Sequence, residues 1–566
     1  MSGDVRLKIA LCWHMHQPQY RDQVSGHYHL PWTYLHAIKD YVDMAAHLEA
    51  VPGARAVVNF APLLLEQIAD YARHVHGFLT DGLAIHDPLL AALAQPVLPV
   101  ESEARHSLVR ACQRANESRL IRRFAAFQRL AEMAAWVGEH PDELQYLSDQ
   151  YLADLLVWYH LAWLGETVRR EDARVRRLIE KGTSFTLHDR RELLAIIGEL
   201  LAGLIPRYRQ LAERGQVELS VSPYAHPILP LLLDFTSARD AMPDTALPLI
   251  ASYPGGEERV RWHIREGIAA FERHFGFRPA GCWPSEGGVS DASVALLGEN
   301  GFQWVASGES VLINSLQRLG HAPHGVKAAW LYHPYRLEGQ TLSCFFRDDG
   351  LSDLIGFTYA DWHADDAVAN LVQHLEDIAD SCRGHPDRLV SIILDGENAW
   401  EHYPENAYHF LGTMYRRLAE HPHFELTTFS DYLARHPSKP LRALSAGSWV
   451  YGTFSTWIGN VDKNRGWDML GEAKRIFDAV APNLPAAERA EAERALAVCE
   501  GSDWFWWFGD YNPQAVVSDF ERLYRQHLSN LYQLLHTEPP EYLSHTFAHG
   551  SGAPLRGGAM RTGQAS

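Results

Sequence analysis

Two acidic positions, each following a short apolar run, are the residues of this chain best suited to bond-breaking chemistry. In LVSIILDGENAWEHYPENA an apolar run delivers Asp395 and Glu397, with Trp400, Glu401 and His402 close behind. Residues two apart on a strand share a face, so one carboxylate there can raise its neighbour's pKa by like-charge repulsion. A helix start is the alternative, because Asp and Glu favour a first turn. In AGCWPSEGGVS, Pro284 stiffens a strand exit, and Gly287 and Gly288 let the backbone turn around Glu286. Capping of a helix that begins at Ser290 competes with this reading. Two carboxyl groups from separate strand ends meet the requirement of glycoside hydrolysis for a pair of acids across one bond.

Other residue types supplement the acids. CWHMHQPQY alternates His14 and His16 on one strand face before Gln17 and Pro18. Alternating histidines can bind a metal, hydrogen-bond sugar hydroxyls or satisfy each other. FFRDDGLSDLIGF supplies Arg347, Asp348, Asp349 and Asp353, either to orient the acids and hold hydroxyls or as a structural ion-pair network. His226 lies between prolines in GQVELSVSPYAHPILPLL, and GSWVYGTFSTWIGNVDKNRGWDML carries Trp449, Trp457, Asp462, Trp467 and Asp468. The latter reads as a loop that closes over a sugar with stacking rings. DWFWWFGDYNP is dense enough in aromatics to read as core ahead of the alternative, a binding face.

These residues need a scaffold that gathers strand ends. Seven short apolar runs alternate with helix-like stretches: Leu7 to Cys12, Ala56 to Phe60, Val217 to Val221, Ala280 to Trp283, Phe302 to Ala306, Thr341 to Phe346 and Leu389 to Leu394. Such alternation predicts βα units around a parallel sheet, whose strand ends carry the chemistry. Between about residues 70 and 214 only helical periodicity appears, which predicts an insertion within a catalytic unit spanning 1–440. Residues 441–547 read as a helical domain, and the glycine-rich 548–566 as a disordered tail.

Composition narrows the partners. A net charge of -19 argues against a nucleic-acid protein, which gains affinity by neutralising phosphates with clustered Lys and Arg. A neutral substrate suits this balance, and the 17 tryptophans include rings able to stack on sugars. Six scattered cysteines suggest reduced thiols, with neither a disulfide framework nor a thiolate zinc site. The short apolar run at the N-terminus does not have the form of a signal peptide or spanning helix, so a cytoplasmic location is expected, with no membrane partner.

Together the segments resemble glycoside hydrolase family 57, which includes α-amylases, amylopullulanases, branching enzymes and 4-α-glucanotransferases. The matching motifs are HQP at His16 to Pro18, GQVELSVSPYAHP at Gly215 to Pro227, CWPSEG at Cys282 to Gly287, LDGENAWE at Leu394 to Glu401, and the Trp-rich Gly447 to Leu470. The resemblance implies an α/β fold, a (β/α)7 barrel that is an incomplete relative of the eight-stranded barrel, followed by a helical domain whose loop completes the cleft. It further implies a retaining reaction on α-glucans, with Glu286 as nucleophile and Asp395 as general acid/base, about 5 to 5.5 Å apart. Asp395 then has to start protonated and Glu286 ionised, with Glu397 as the crowding charge on Asp395. His14, His16, Gln17, His226, Trp283, Arg347, Asp348, Glu397, Trp400, Trp457, Trp467 and Asp468 are the expected substrate-binding residues.

Neither a metal nor another cofactor is required by this chemistry. The family's branching enzymes tend to carry His-x-His followed by Leu-Pro near the first motif and a Cys after the catalytic glutamate; Gln17 and Gly287 occupy those places here, which favours amylase-type hydrolysis over transfer. Rival readings are a metal-dependent enzyme of the α-mannosidase or polysaccharide deacetylase kind, with His14, His16 and Asp348 as ligands, and a non-catalytic glycan-binding protein.

Overall fold

The computed structural model describes residues 6–552 except positions 322, 324 and 386. In chain order its strands are β1 (Leu7–Met15), β2 (Ala56–Phe60), β3 (Val217–Val221), β4 (Gly281–Cys282), β5 (Trp304–Ser307), β6 (Tyr335–Leu337), β7 (Ser343–Phe346), β8 (Leu389–Asp395), β9 (Phe424–Leu426) and β10 (Lys439–Leu441). They form one sheet in the order β10-β6-β7-β5-β4-β3-β2-β1-β8, with β9 also paired to β1. From β7 to β8 every neighbour is parallel. Those seven strands coincide with the seven apolar runs.

The sheet curls until β7 and β8 approach each other. No ladder joins them among the described residues, but Asp348 N donates to Ser391 O at 2.8 Å and Arg347 Nη1 to Ile393 O at 3.2 Å. The result is a (β/α)7 barrel held shut at its seam by side chains and loop backbone. All nine residues of β1 are buried, as expected of a strand covered on both faces.

Strand periodicity then fills the barrel and equips its mouth. Ala10 and Cys12 of β1 and Leu389 and Ile393 of β8 belong to an interior cluster with Trp283, Trp304 and Phe345. Residues two apart share a face, so the next inward positions are His14 and Asp395, which are register partners. His14 also pairs with Asn59, and Asn59 with Ser220. Four adjacent strands thus present Asp395, His14, Asn59 and Ser220 at one level.

Between β2 and β3 the chain is helical, from Pro62–Asp81 through Asp149–Trp163 to the long helix Leu187–Glu213. After β10 come the helices Val461–Val480, Ala486–Cys499, Ser502–Trp507 and Gln514–Leu534. The six cysteines are free and buried. Among the described residues no helix is long and apolar enough to cross a membrane. Within the stretch expected as a tail, Ala548 is buried and Ser551 N donates to Asp510 O at 2.8 Å, which anchors these residues to the body. Positions 553–566 lie outside the described residues.

Candidate active site

A cavity of about 290 Å³ opens at the C-terminal ends of the strands, lined by Glu286, Asp395, Glu397, His14, His16 and Gln17 together with Trp449, Asp503, Trp506 and Trp507. Glu286 stands in a short turn after β4 with φ 57° and ψ 26°, a left-handed conformation that non-glycine residues seldom adopt. Gly287 continues the turn at φ 58°, where a Cβ would press on Trp283 and Trp449 at 3.1 and 3.2 Å. The turn aims the Glu286 carboxylate into the cavity, where Oε2 accepts from Trp449 Nε1 at 3.1 Å and Oε1 from Ser502 Oγ at 3.3 Å. Asp395 ends β8 and accepts from Asn398 Nδ2 at 3.0 Å.

Burial raises both acids, because a water-poor site disfavours the charged form. The Glu286 carboxyl is pushed up to about 8, first by burial and then by the charges of Asp395 and Asp503. Asp395 is pushed up to about 6, by burial against the lowering effects of Asn398, His16 and Arg347. Glu397 rises well above the usual range through burial and the nearby charge of Asp395. This corrects the sequence reading in one respect. The crowding charge is Asp395, which raises both Glu397 and Glu286, while burial is what raises Asp395.

The histidines form a stack. His16 lies face-on to His226 at 3.8 Å between centroids and donates to Asp503 Oδ1 at 2.8 Å. Burial opposes charge on His16, but Asp503, Glu286 and Asp395 outweigh it and its pKa is raised. His14 is lowered to about 3 by burial and by His16, and His226 is lowered well below its ordinary value for the same reasons. Three imidazole nitrogens of His14, His16 and His226 lie within 4.8 Å of one another. A shared metal needs their in-plane lone pairs to converge on one point. Face-on stacking of His16 and His226 runs them side by side instead, and Asp348, the proposed third ligand, caps the helix Asp349–Asp353 and accepts from Tyr332 Oη at 2.8 Å.

The remaining expected site residues divide. Gln17 reaches the cavity and donates to Glu397 Oε1 at 3.1 Å. Trp283 is buried behind Trp449 in an edge contact, and Trp400 is buried against Trp13 with Nε1 on Gly396 O. Arg347 is buried, bonded to Asp349 and Asp353 with its guanidinium 5.1 Å from the Trp449 ring, so it braces a cavity wall.

Trp457, Trp467 and Asp468 do not reach the cavity. Trp467 stacks on Phe505 at 4.2 Å, Trp457 is fully buried, and Asp468 accepts from Ile250 N. Helical spacing explains this: Val461–Val480 turns Trp467 and Asp468 toward its packing face. Instead, the segment read as core supplies the wall. In Ser502–Trp507, Trp504 and Phe505 are core, while Asp503, Trp506 and Trp507 line the cavity. Alternation of apolar and polar residues could not flag this, because every ring in DWFWWF is apolar, and only the acid at Asp503 broke the pattern.

The family model of glycosyl hydrolase family 57 matches residues 10–445. This chain belongs to glycosyl hydrolase family 57. Over 142 residues it is 27% identical to a 1,4-alpha-glucan branching enzyme of Thermococcus kodakarensis, which is 25% of this chain but 18% of that protein's length. Among solved structures the fold is similar to the branching enzyme of that archaeon crystallised with glucose (TM-score 0.56, 16% identity, 94% of this chain and 90% of that one). It is also similar to the α-amylase AmyC of Thermotoga maritima (TM-score 0.54, 15% identity, 95% of each chain). The 4-alpha-glucanotransferase of Thermococcus litoralis aligns at TM-score 0.52 and 14% identity over 94% of this chain and 60% of that one.

Proposed function

We propose that this family 57 enzyme cleaves α-1,4 bonds of α-glucans with retention, Glu286 acting as nucleophile and Asp395 as general acid/base. One observation carries the reading: carboxyl groups from two different strand ends line a single cavity walled by Trp449, Trp506 and Trp507. Glu286 is held by two donors, Trp449 Nε1 and Ser502 Oγ, which fix its oxygens and stabilise the anion a nucleophile must present. Asp395 accepts from Asn398 on Oδ2 and carries a proton to the leaving oxygen, then returns as base for water. Burial raises both acids, so substrate binding has to leave Glu286 ionised and Asp395 protonated. The sugar's developing positive charge supplies the bias, since it favours an anion at the atom it approaches.

Transfer to a second sugar is the alternative outcome. The apolar lining of Trp32, Trp506, Trp507 and Phe520 favours it, because such walls seat an acceptor ring and exclude water. Incubation with maltooligosaccharides and amylose, with products separated by size, decides between them. Shorter chains alone mean hydrolysis; shorter and longer chains together mean transfer; new α-1,6 signals by NMR mean branching. No change in any substrate, under conditions where the protein is folded, defeats the proposal.

A further inference from the structure

One histidine of the cavity wall has a ring nitrogen that the protein leaves unused. His36 lines the active-site cavity one helical turn beyond Trp32, which lines it too, so indole and imidazole share a face of the short helix Trp32–His36. The His36 side chain is 9% exposed, and its Nδ1 meets Asp40 Oδ2 at 2.7 Å. Nε2 has no partner among the described residues, yet it is not sealed from water. It therefore opens on the cavity. Asp40 decides what that nitrogen offers. Its other oxygen, Oδ1, accepts from Lys39 Nζ, and both residues are fully buried. A carboxylate paired with that ammonium can only accept, so His36 donates from Nδ1. In the neutral ring Nε2 is then a lone pair, an acceptor facing the cavity.

The surrounding structure holds this pair in place. Ala37–Tyr41 forms a turn of π-helix, a form that occurs mostly as single turns and often at functional sites. Lys39 Nζ also donates to Asn406 Oδ1 at 3.0 Å, and Asn406 Nδ2 donates to Asp43 Oδ2 at 2.8 Å, which orients the amide. Glu405, Asn406 and Ala407 stand together in the left-handed region, at φ 53°, 53° and 58°. Such strain persists only where the surroundings over-determine it. Trp163 closes the back of the cluster, its ring at right angles to His36 at 5.6 Å and 5.2 Å from Lys39 Nζ. Asp40 is among the charges that bear on Glu397, two residues past Asp395, so the pair stands on the Asp395 side of the cavity.

We propose that His36 accepts a hydroxyl of the sugar on the leaving-group side of the cavity, with Asp40 as the positioning residue that fixes its tautomer. The proposal rests on the reading of Asp395 as general acid/base. Asp395 protonates the leaving oxygen, so a sugar on its side is the one that departs and, in transfer, the one that arrives as acceptor. A pyranose stacked on Trp32 carries hydroxyls around its rim, and one of them can donate to Nε2. A group without that hydroxyl leaves a nearly buried lone pair unmatched and binds less well. No proton changes owner in this role: the hydroxyl keeps its proton, and His36 keeps the one on Nδ1.

Two measurements test this, the first without turnover. In Glu286→Gln protein with 15N-labelled histidine at about pH 8, where an ordinary imidazole is neutral, His36 is expected as the Nδ1–H tautomer, assigned by the signal lost in His36→Gln. Adding maltotetraose should shift its Nε2 signal. In Asp40→Asn the amide oxygen turns to Lys39 and the NH2 to His36, so the tautomer should reverse to Nε2–H. A resting Nε2–H ring, an Nε2 signal that stays put while other histidines respond, or an unchanged tautomer in Asp40→Asn overturns the proposal. The second compares His36→Ala with wild type on maltotetraose and on an aryl α-maltoside, whose leaving group offers no sugar hydroxyl. For maltotetraose kcat/KM should fall about tenfold, mostly through KM, and for the aryl α-maltoside by clearly less, about twofold. Equal loss on both substrates marks a structural role or a contact on the other side of the bond, and no loss on either marks no contact; each result overturns the proposal. Wild type that cleaves neither substrate, with no histidine of Glu286→Gln responding to maltotetraose, defeats the functional reading itself, whereas a failed His36 result beside an active wild type defeats this proposal alone.

Discussion

Glu286 and Asp395 leave the barrel at strand ends, whereas Ser502, Asp503, Trp506 and Trp507 arrive on a six-residue helix of the C-terminal region. The first half of the site is placed by sheet register: Asp395 is beside His14, and His14 beside Asn59, because the strands that carry them pair there. The second half is placed by a buried anchor. Glu500 is fully buried and accepts from Arg259 Nε at 2.9 Å, His263 Nε2 at 2.7 Å and Tyr253 Oη at 2.6 Å. Arg259 and His263 lie on the barrel helix Gly256–Phe275, so the anchor pins the start of Ser502–Trp507 against the barrel. The two acids thus sit at the ends of paired strands, and the wall formed by Trp506 and Trp507 sits on an element that a buried ion cluster helps to hold against the barrel.

The largest expected effect tests the strand-borne half. We predict that Glu286→Gln and Asp395→Asn each lower turnover by about a hundredfold or more while retaining a native circular dichroism spectrum. Azide should rescue Glu286→Ala to a glycosyl azide of inverted configuration and Asp395→Ala to a retained one. Normal turnover in either variant would remove that residue from the chemistry.

Breaking the anchor comes next. Removing one partner of a buried ion cluster costs about 3–5 kcal/mol, so Glu500→Gln should lower the unfolding temperature clearly and reduce activity through the C-terminal half of the site. The pH dependence of this contribution has a definite sign. Burial opposes ionisation of Glu500, but Arg259 and His263 prevail and its carboxyl is lowered to about 2. A depressed folded-state pKa gives stability that is fully present above the unfolded value of about 4.3 and is lost as pH falls toward 2. Thermal scans of wild type and Glu500→Gln should therefore converge between pH 4 and 2; a constant gap across that window would refute the assignment.

A smaller effect separates wall from core. Trp506→Ala should raise KM for maltooligosaccharides about tenfold, the scale of one aromatic stacking contact with its share of apolar burial. Trp467→Phe should lower stability and leave KM unchanged, since its ring packs on Phe505 away from the cavity. A KM effect at Trp467 without one at Trp506 would invert the comparison.

The smallest effect concerns Glu397. It is buried and held neutral, so Glu397→Gln replaces a protonated acid by a near isostere, and the alkaline limb of the rate profile should stay within about 0.3 pH unit of wild type. A clear shift to lower pH would restore Glu397 as a crowding charge on Asp395.

How much of this was legible beforehand depends on the range of the interactions. The seven barrel strands, the helical insertion and the turn at Glu286 follow from local patterns, because strand period, apolar run length and glycine punctuation act within a few residues. The two acids were visible for the same reason, each terminating such a run. The location of the aromatic wall was not, because Trp449, Trp467 and Trp506 are alike in type and only packing partners distinguish them. The electrostatics of the acids were equally hidden. Spacing placed Glu397 two residues from Asp395 and so nominated it as the crowding charge, whereas burial and the charges of Asp395 and Asp503 raise Glu286, and burial raises Asp395. The sequence by itself determined which two acids stand at strand ends at the mouth of the barrel. Only the tertiary structure decided which rings wall the cavity and how far burial raises the acids, because that depends on contacts between residues far apart in the chain and on how much water remains between them.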